Sequence, residues 1–122
     1  MIIFDASALV SAALKADSVP ERALLRAEEV DVFALSAAVD AEIAGVPLAR
    51  RERVLEILRR AAVWFEPEVR VTDCRDPKDD KYLELALAAG AETIVSSDDD
   101  LLVLHPWRGV RILRPADYLV LT

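Results

Sequence analysis

Three consecutive aspartates, Asp98, Asp99 and Asp100, directly follow the apolar strand-like stretch "TIVSS". Two chemistries fit that position. They can cap the helix that begins at "DLLVL", since a side-chain carboxylate accepts from free N–H groups at a helix start. Alternatively, one of them is a metal ligand. Asp5 stands in the same place after the first apolar run, "MIIF". Glu42 and Asp80 are the other acids that an α/β arrangement could bring near. Carboxylates clustered without histidine or cysteine suit a hard divalent cation, Mg²⁺ or Mn²⁺. Like charges about 4 Å apart repel by roughly 4 kcal/mol at an effective dielectric of 20, so such a cluster protonates or takes up a cation. A cation held this way polarises phosphates and activates water, which points to phosphodiester hydrolysis.

The elements that must position these acids are legible as alternating strands and helices. "MIIF" reads as a strand buried on both faces. A helix follows over 7–16, and Pro20 opens a second one. "DVFAL" (31–35) is the second strand, and Ser36 caps "SAAVDAEIA", which stops near Gly45 and Pro47. Residues 48–62 form an amphipathic helix with Leu48, Val54, Leu55 and Leu58 on one face. Residues 63–71 include a strand interrupted by Pro67. Asp76 and Pro77 start a helix that ends at Gly90; "TIVSS" and "VRIL" (110–113) are the last strands, and Pro115 begins a terminal helix. This order implies an α/β domain with a mostly parallel sheet. Its site belongs at the carboxyl ends of the strands, where strand order reverses. Asp5 and Asp98 share that crevice if their strands are neighbours. Glu42 reaches it from the helix after the second strand, and Asp80 from the helix before "TIVSS". Asp79 reads as a favourable charge at a helix start, Asp76 as a cap and Asp40 as solvated.

The chain has 122 residues, the size of one domain over 1–122 with one core. A hydrophobic content of 54% excludes a disordered chain. No apolar run is long and charge-free enough to span a bilayer, and "MIIFDASALV" is not a signal peptide. Cys74 is the only cysteine, which excludes an internal disulfide and points to a reducing, cytoplasmic setting. The net charge of −7 argues against broad electrostatic attraction to nucleic acid. Three glycines leave no Gly-rich phosphate loop. Trp64 reads as core, Trp107 as a cover over the core, His105 and Cys74 as chemically silent, and the arginines at 50–60 as a solvated helix face.

The segments "MIIFDASALVSA", "LSAAVDAEI", "DPKDDKYLELALAAGAETIVSSDDDLL" and "VRILRPADYL" resemble, in order and spacing, the PIN-domain ribonucleases. The likeness is greatest to the bacterial and archaeal branch that includes the toxins of toxin–antitoxin pairs. The resemblance implies a three-layer α-β-α fold around a central, mostly parallel sheet of about five strands, and a homodimer or higher homo-oligomer. It implies an Mg²⁺- or Mn²⁺-dependent endoribonuclease whose acids match Asp5, Glu42, Asp80 and Asp98, both as metal ligands and as catalytic groups. Ser7, Ser96 and Asp100 match supporting positions. RNA is the implied substrate, and a small antitoxin offering Arg or Lys to the acidic crevice is the implied partner. This chain departs from the family pattern at Ser7, where Asn is commoner. It departs again at Asp99, where a neutral or basic residue is usual, and at "GVP", which shortens the helix carrying Glu42. Arg50, Arg51, Arg53, Arg59 and Arg60 are the candidates for neutralising an RNA strand. The competing reading is a catalytically silent scaffold of the same fold. A receiver-like phosphoacceptor lacks its acidic pair and late lysine here. A dehalogenase-like phosphatase lacks its second aspartate, Ser7 standing in that position.

Overall fold

Strand β1 (Ile2–Phe4) pairs in parallel with β4 (Thr93–Val95), and β4 pairs in parallel with β5 (Arg111–Leu113). Ile2, Ile3, Ile94, Val95 and Ile112 are all buried in these strands. A second parallel ribbon joins β2 (Ala34–Leu35) to β3 (Val63–Trp64). The single five-stranded sheet expected from the resemblance is thus divided, three strands and two. One isolated parallel bridge, Ile2 to Phe33, connects the ribbons, with Ile2 N–H donating to Val32 O at 2.9 Å. The computed structural model describes residues 1–46 and 51–122. The readings placed on Pro47, Leu48, Arg50 and the Arg51 side chain lie outside the described residues.

Seven helices connect the strands among the described residues. Helix α1 (Ala6–Leu14) is capped by Asp5, α2 (Val19–Val30) by Ser18 and α3 (Ala37–Ala44) by Ser36. Each cap is a short polar side chain that accepts from a free N–H of the first turn. Helix α4 (Arg51–Ala61) buries Val54, Leu55, Ile57 and Leu58, the apolar face that the sequence pattern requires. A 3-10 turn over Pro77–Asp79 leads into α5 (Asp80–Ala89), which ends at Gly90 with φ 62°, a left-handed stop that favours glycine. Short α6 (Asp99–Leu102) follows β4, and α7 (Pro115–Leu121) closes the described chain. No helix among the described residues is long and apolar enough to cross a membrane.

The strand predicted over 63–71 shrinks to two residues, and Trp64, predicted to be core, is 50% exposed. Beyond Phe65, whose N–H donates to Leu35 O at 2.8 Å, Pro67 and the glutamates on either side of it carry no ladder. Trp107, by contrast, is buried, with Nε1 donating to Asp73 Oδ2 at 2.9 Å. His105 Nδ1 accepts from Ile112 N–H at 2.9 Å, a structural use.

Because β1, β4 and β5 are parallel, their carboxyl ends lie on one side. Phe4 is in register with Val95, and Val95 with Leu113. The next residues, Asp5, Ser96 and Arg114, therefore form a row along that edge. Counting the bridge, β2 and β3 extend from one side of β1 and β4 and β5 from the other. The strand order reverses at β1, beside Asp5, where open α/β sheets place their ligands.

Candidate active site

Asp5 is only 2% exposed, and both its oxygens are held. Oδ1 accepts from Ala8 N–H at 2.9 Å and from Ser7 Oγ at 2.7 Å; Oδ2 accepts from Ser96 Oγ at 2.5 Å. The two serines are tied in turn: Ser97 N–H donates to Ser7 Oγ at 3.0 Å and Asp98 N–H to Ser96 Oγ at 2.9 Å. One carboxylate thus links β1, α1 and the segment after β4. Burial pushes its pKa from 3.8 up to about 6, against the three hydrogen bonds and with help from the negative charge of Asp98.

Asp98 caps α6, accepting from Asp100 N–H at 2.9 Å. It also faces Asp79, which lies at the junction of the 3-10 turn with α5 and is 9% exposed. The Asp79 carboxyl is raised from 3.8 to about 7, first by burial, then by its contact with Asp98 and by the charges of Asp98, Asp76 and Asp5. Its Oδ2 is buried without a hydrogen-bond partner. On the outer side, carboxylate oxygens of Asp76, Asp79 and Asp100 lie within 4.8 Å of one another.

The structure therefore brings together Asp5, Asp98, Ser7, Ser96 and Asp100, and adds Asp79, which sequence reasoning treated as a helix-start charge. Asp80 has a partner of its own: its Oδ1 accepts from Cys74 N–H at 2.9 Å. The register of α5 explains the exchange. Tyr82, Leu83 and Ala86 are buried, and they lie three, four and seven residues after Asp79. That stripe was the available signal, since it carries the buried face back to Asp79.

Glu42 lies in the last turn of α3 and meets α5 through the Tyr82 hydroxyl and the Lys81 ammonium. The Tyr82 hydroxyl in turn accepts from Ala6 N–H at 3.0 Å, beside Asp5. Glu42 is thus tied to the Asp5 end of α1 through one phenol, with Lys81 as its counter-ion. Burial and the adjacent Glu42 push the Tyr82 phenol well above its ordinary range, so it remains a donor. Cys74 is buried and its thiol is raised by burial, consistent with an inert side chain.

Of the arginines proposed for RNA, Arg59 and Arg60 are engaged with other acids. Arg59 forms two bonds to Asp40, Nε to Oδ1 at 2.9 Å and Nη2 to Oδ2 at 3.0 Å. Asp40, expected to be solvated, is thereby paired. Arg60 lies within 3.9 Å of Glu28 and 4.0 Å of Glu56, and Arg53 lines the same depression.

The oxygens of Asp76, Asp79 and Asp100, with Asp79 Oδ2 buried and unpartnered and Asp98 facing it, form an oxygen-only donor set that fits a hard divalent cation. An α/β domain with such an acidic crevice at its strand-order reversal is suited to hold a divalent cation beside a phosphate. The PIN domain model matches residues 1–100, and the chain belongs to the PIN-domain family, whose members are generally metal-dependent nucleases. No curated protein and no solved structure matches the chain.

Proposed function

We propose that the chain, as a single domain over 1–122, is a divalent-metal-dependent ribonuclease. Asp5, Asp79 and Asp98 hold the cation, with Asp79 in the role that the sequence resemblance gave to Asp80. The observation that carries this reading is the Asp79 Oδ2 atom, buried and unpartnered against a second carboxylate. Leaving such a group unsatisfied costs free energy that a cation returns. Bound Mg²⁺ or Mn²⁺ would neutralise the acids, polarise a phosphate and lower the pKa of a bound water.

The protein's own groups do the positioning. Ser7 and Ser96 fix the Asp5 carboxylate by donating to its two oxygens. Glu42, anchored by Tyr82 and Lys81 on α5, would orient the attacking water from α3. Asp100 supports the outer side, held by Arg75 at 3.0 Å. A toxin role, a homodimer, a cytoplasmic setting and a small antitoxin that inserts a guanidinium or ammonium belong to the same reading. An acidic crevice in a chain of net charge −7 supports the antitoxin element.

The test is calorimetry and thermal shift with Mn²⁺ and Mg²⁺ on wild type, Asp79→Asn and Asp98→Asn, followed by RNA cleavage with Asp5→Asn as control. Cation at 100 times its dissociation constant should stabilise wild type by about 2.7 kcal/mol. Both crevice variants should lose that gain, and Asp5→Asn should not cleave. A wild type that binds no cation at several millimolar and leaves RNA intact returns the chain to the scaffold reading.

A further inference from the structure

Two guanidinium groups flank the residues that follow β4. Arg75, from the loop before the 3-10 turn, places Nη2 3.0 Å from Asp100 Oδ1 and 3.4 Å from Asp99 O. Arg114 follows β5 directly and places Nη2 3.0 Å from Asp99 Oδ1. Arg114 shares the strand-end row with Asp5 and Ser96, because Leu113 is in register with Val95 and Val95 with Phe4. Arg75 is next to Asp76, whose oxygen lies within 4.8 Å of those of Asp79 and Asp100. Both arginines are more than half exposed, and the partner carboxylate of Arg114 is 82% exposed. Exposed ion pairs of this kind contribute little and exchange readily.

We infer that Arg75 and Arg114 form a phosphate-binding pair, which grips the backbone of a single-stranded polynucleotide beside the acidic crevice. The inference rests on the nuclease reading above and names the groups that bring a polyanion to an acidic site. A guanidinium presents paired donors to phosphate oxygens and keeps its charge at every working pH. A phosphate displaces a water-exposed carboxylate partner at small cost, whereas Arg59 would have to break two bonds to Asp40. Arg59 and Arg60 serve the fold, and Arg75 and Arg114 serve the ligand.

The experiment measures binding of a fluorescently labelled single-stranded RNA by anisotropy between 0.1 and roughly 0.4 M salt, in the non-cleaving Asp5→Asn background. Removing two phosphate contacts should lower the log–log salt slope by about 1.4. Arg75→Ala with Arg114→Ala is expected to do so and to weaken binding about tenfold or more. Arg59→Ala with Arg60→Ala should leave slope and affinity unchanged. Arg114→Ala with Asp99→Asn keeps the net charge and removes the ion pair. It should still weaken binding, because the arginine touches phosphate rather than masking Asp99. The lysine pair, Arg75→Lys with Arg114→Lys, should keep most of the slope, separating lost contacts from a damaged fold. If RNA binds and wild type cleaves it while Arg75→Ala/Arg114→Ala shows unchanged slope and affinity, the inference is overturned and the nuclease reading stands. If the Asp5→Asn protein binds no RNA and wild type cleaves none, both fall.

Discussion

Asp79 and Asp80 are adjacent in sequence, equally acidic and almost equally buried, yet they meet different partners. Asp80 satisfies the Cys74 N–H, while Asp79 leaves one oxygen unsatisfied beside Asp98. Exchange of each residue should separate the two roles. Asp80→Ala strands a buried amide and should cost about 1–3 kcal/mol while metal binding persists. Asp79→Asn should abolish the metal-induced rise in melting temperature; retention of that rise in Asp79→Asn and its loss in Asp80→Ala would reverse the assignment. The pH dependence has a definite sign. Asp5 and Asp79 have folded-state pKa values raised from 3.8 to about 6 and about 7. Between 3.8 and those values the folded state holds protons that the unfolded chain has released. Their contribution to stability therefore falls as pH rises through that window. Without metal, the melting temperature of Asp79→Asn minus that of wild type should grow more positive from pH 5 to about pH 8. With Mn²⁺ the trend reverses, since cation binding requires both carboxylates deprotonated. A pH-independent difference would show that Asp79 is not strained by its neighbours.

At the scale of elements, α5 is the piece that sets the site. Its Leu83 is fully buried, and its neighbour Tyr82 joins α3 to the start of α1. Leu83→Ala should cost about 2–5 kcal/mol in urea unfolding, because a buried leucine leaves a cavity that packed neighbours fill only in part. Tyr82→Phe keeps the ring and removes the hydroxyl, so it should cost about 1–3 kcal/mol and leave Ala6 N–H without its acceptor. A Tyr82→Phe protein as stable as wild type would show that the phenol does not tie these helices. The same element marks the limit of sequence reading. Strand and helix order was legible because β1 and β4 are continuous apolar runs and Ser18, Ser36, Pro77 and Gly90 punctuate the helices. Asp5 and Asp98 were legible as strand-end acids. Local charge does not rank Asp79 against Asp80, because a one-residue difference at a 3-10 to α junction turns a side chain by about 100°. The exposure of Trp64 was not legible either, since it depends on whether another layer covers β3, which no local pattern encodes.

The whole molecule carries a net charge of −7, and a polyanionic substrate must approach it against that field. Two ranges of electrostatics then oppose each other. The repulsion acts over the molecule's dimensions and is felt most at about 0.01 M salt, where the Debye length is roughly 30 Å. At about 0.1 M that length drops to roughly 10 Å, and the distant acids are largely screened. The contacts of Arg75 and Arg114 with phosphates act at bonding distance and weaken by counterion competition at still higher salt. With RNA below saturation and metal held in excess, kcat/KM should therefore rise from about 0.01 to about 0.1 M salt and fall beyond it. A basic nuclease, attracted to its substrate at every range, would only decline. In the Arg75→Ala/Arg114→Ala protein the falling limb should flatten while the rising limb remains, because the long-range field is still acidic. Initial rates across the salt series check both limbs. A monotonic fall for wild type would mean that the net acidity lies outside the path of the substrate, and that local attraction governs the encounter from the start.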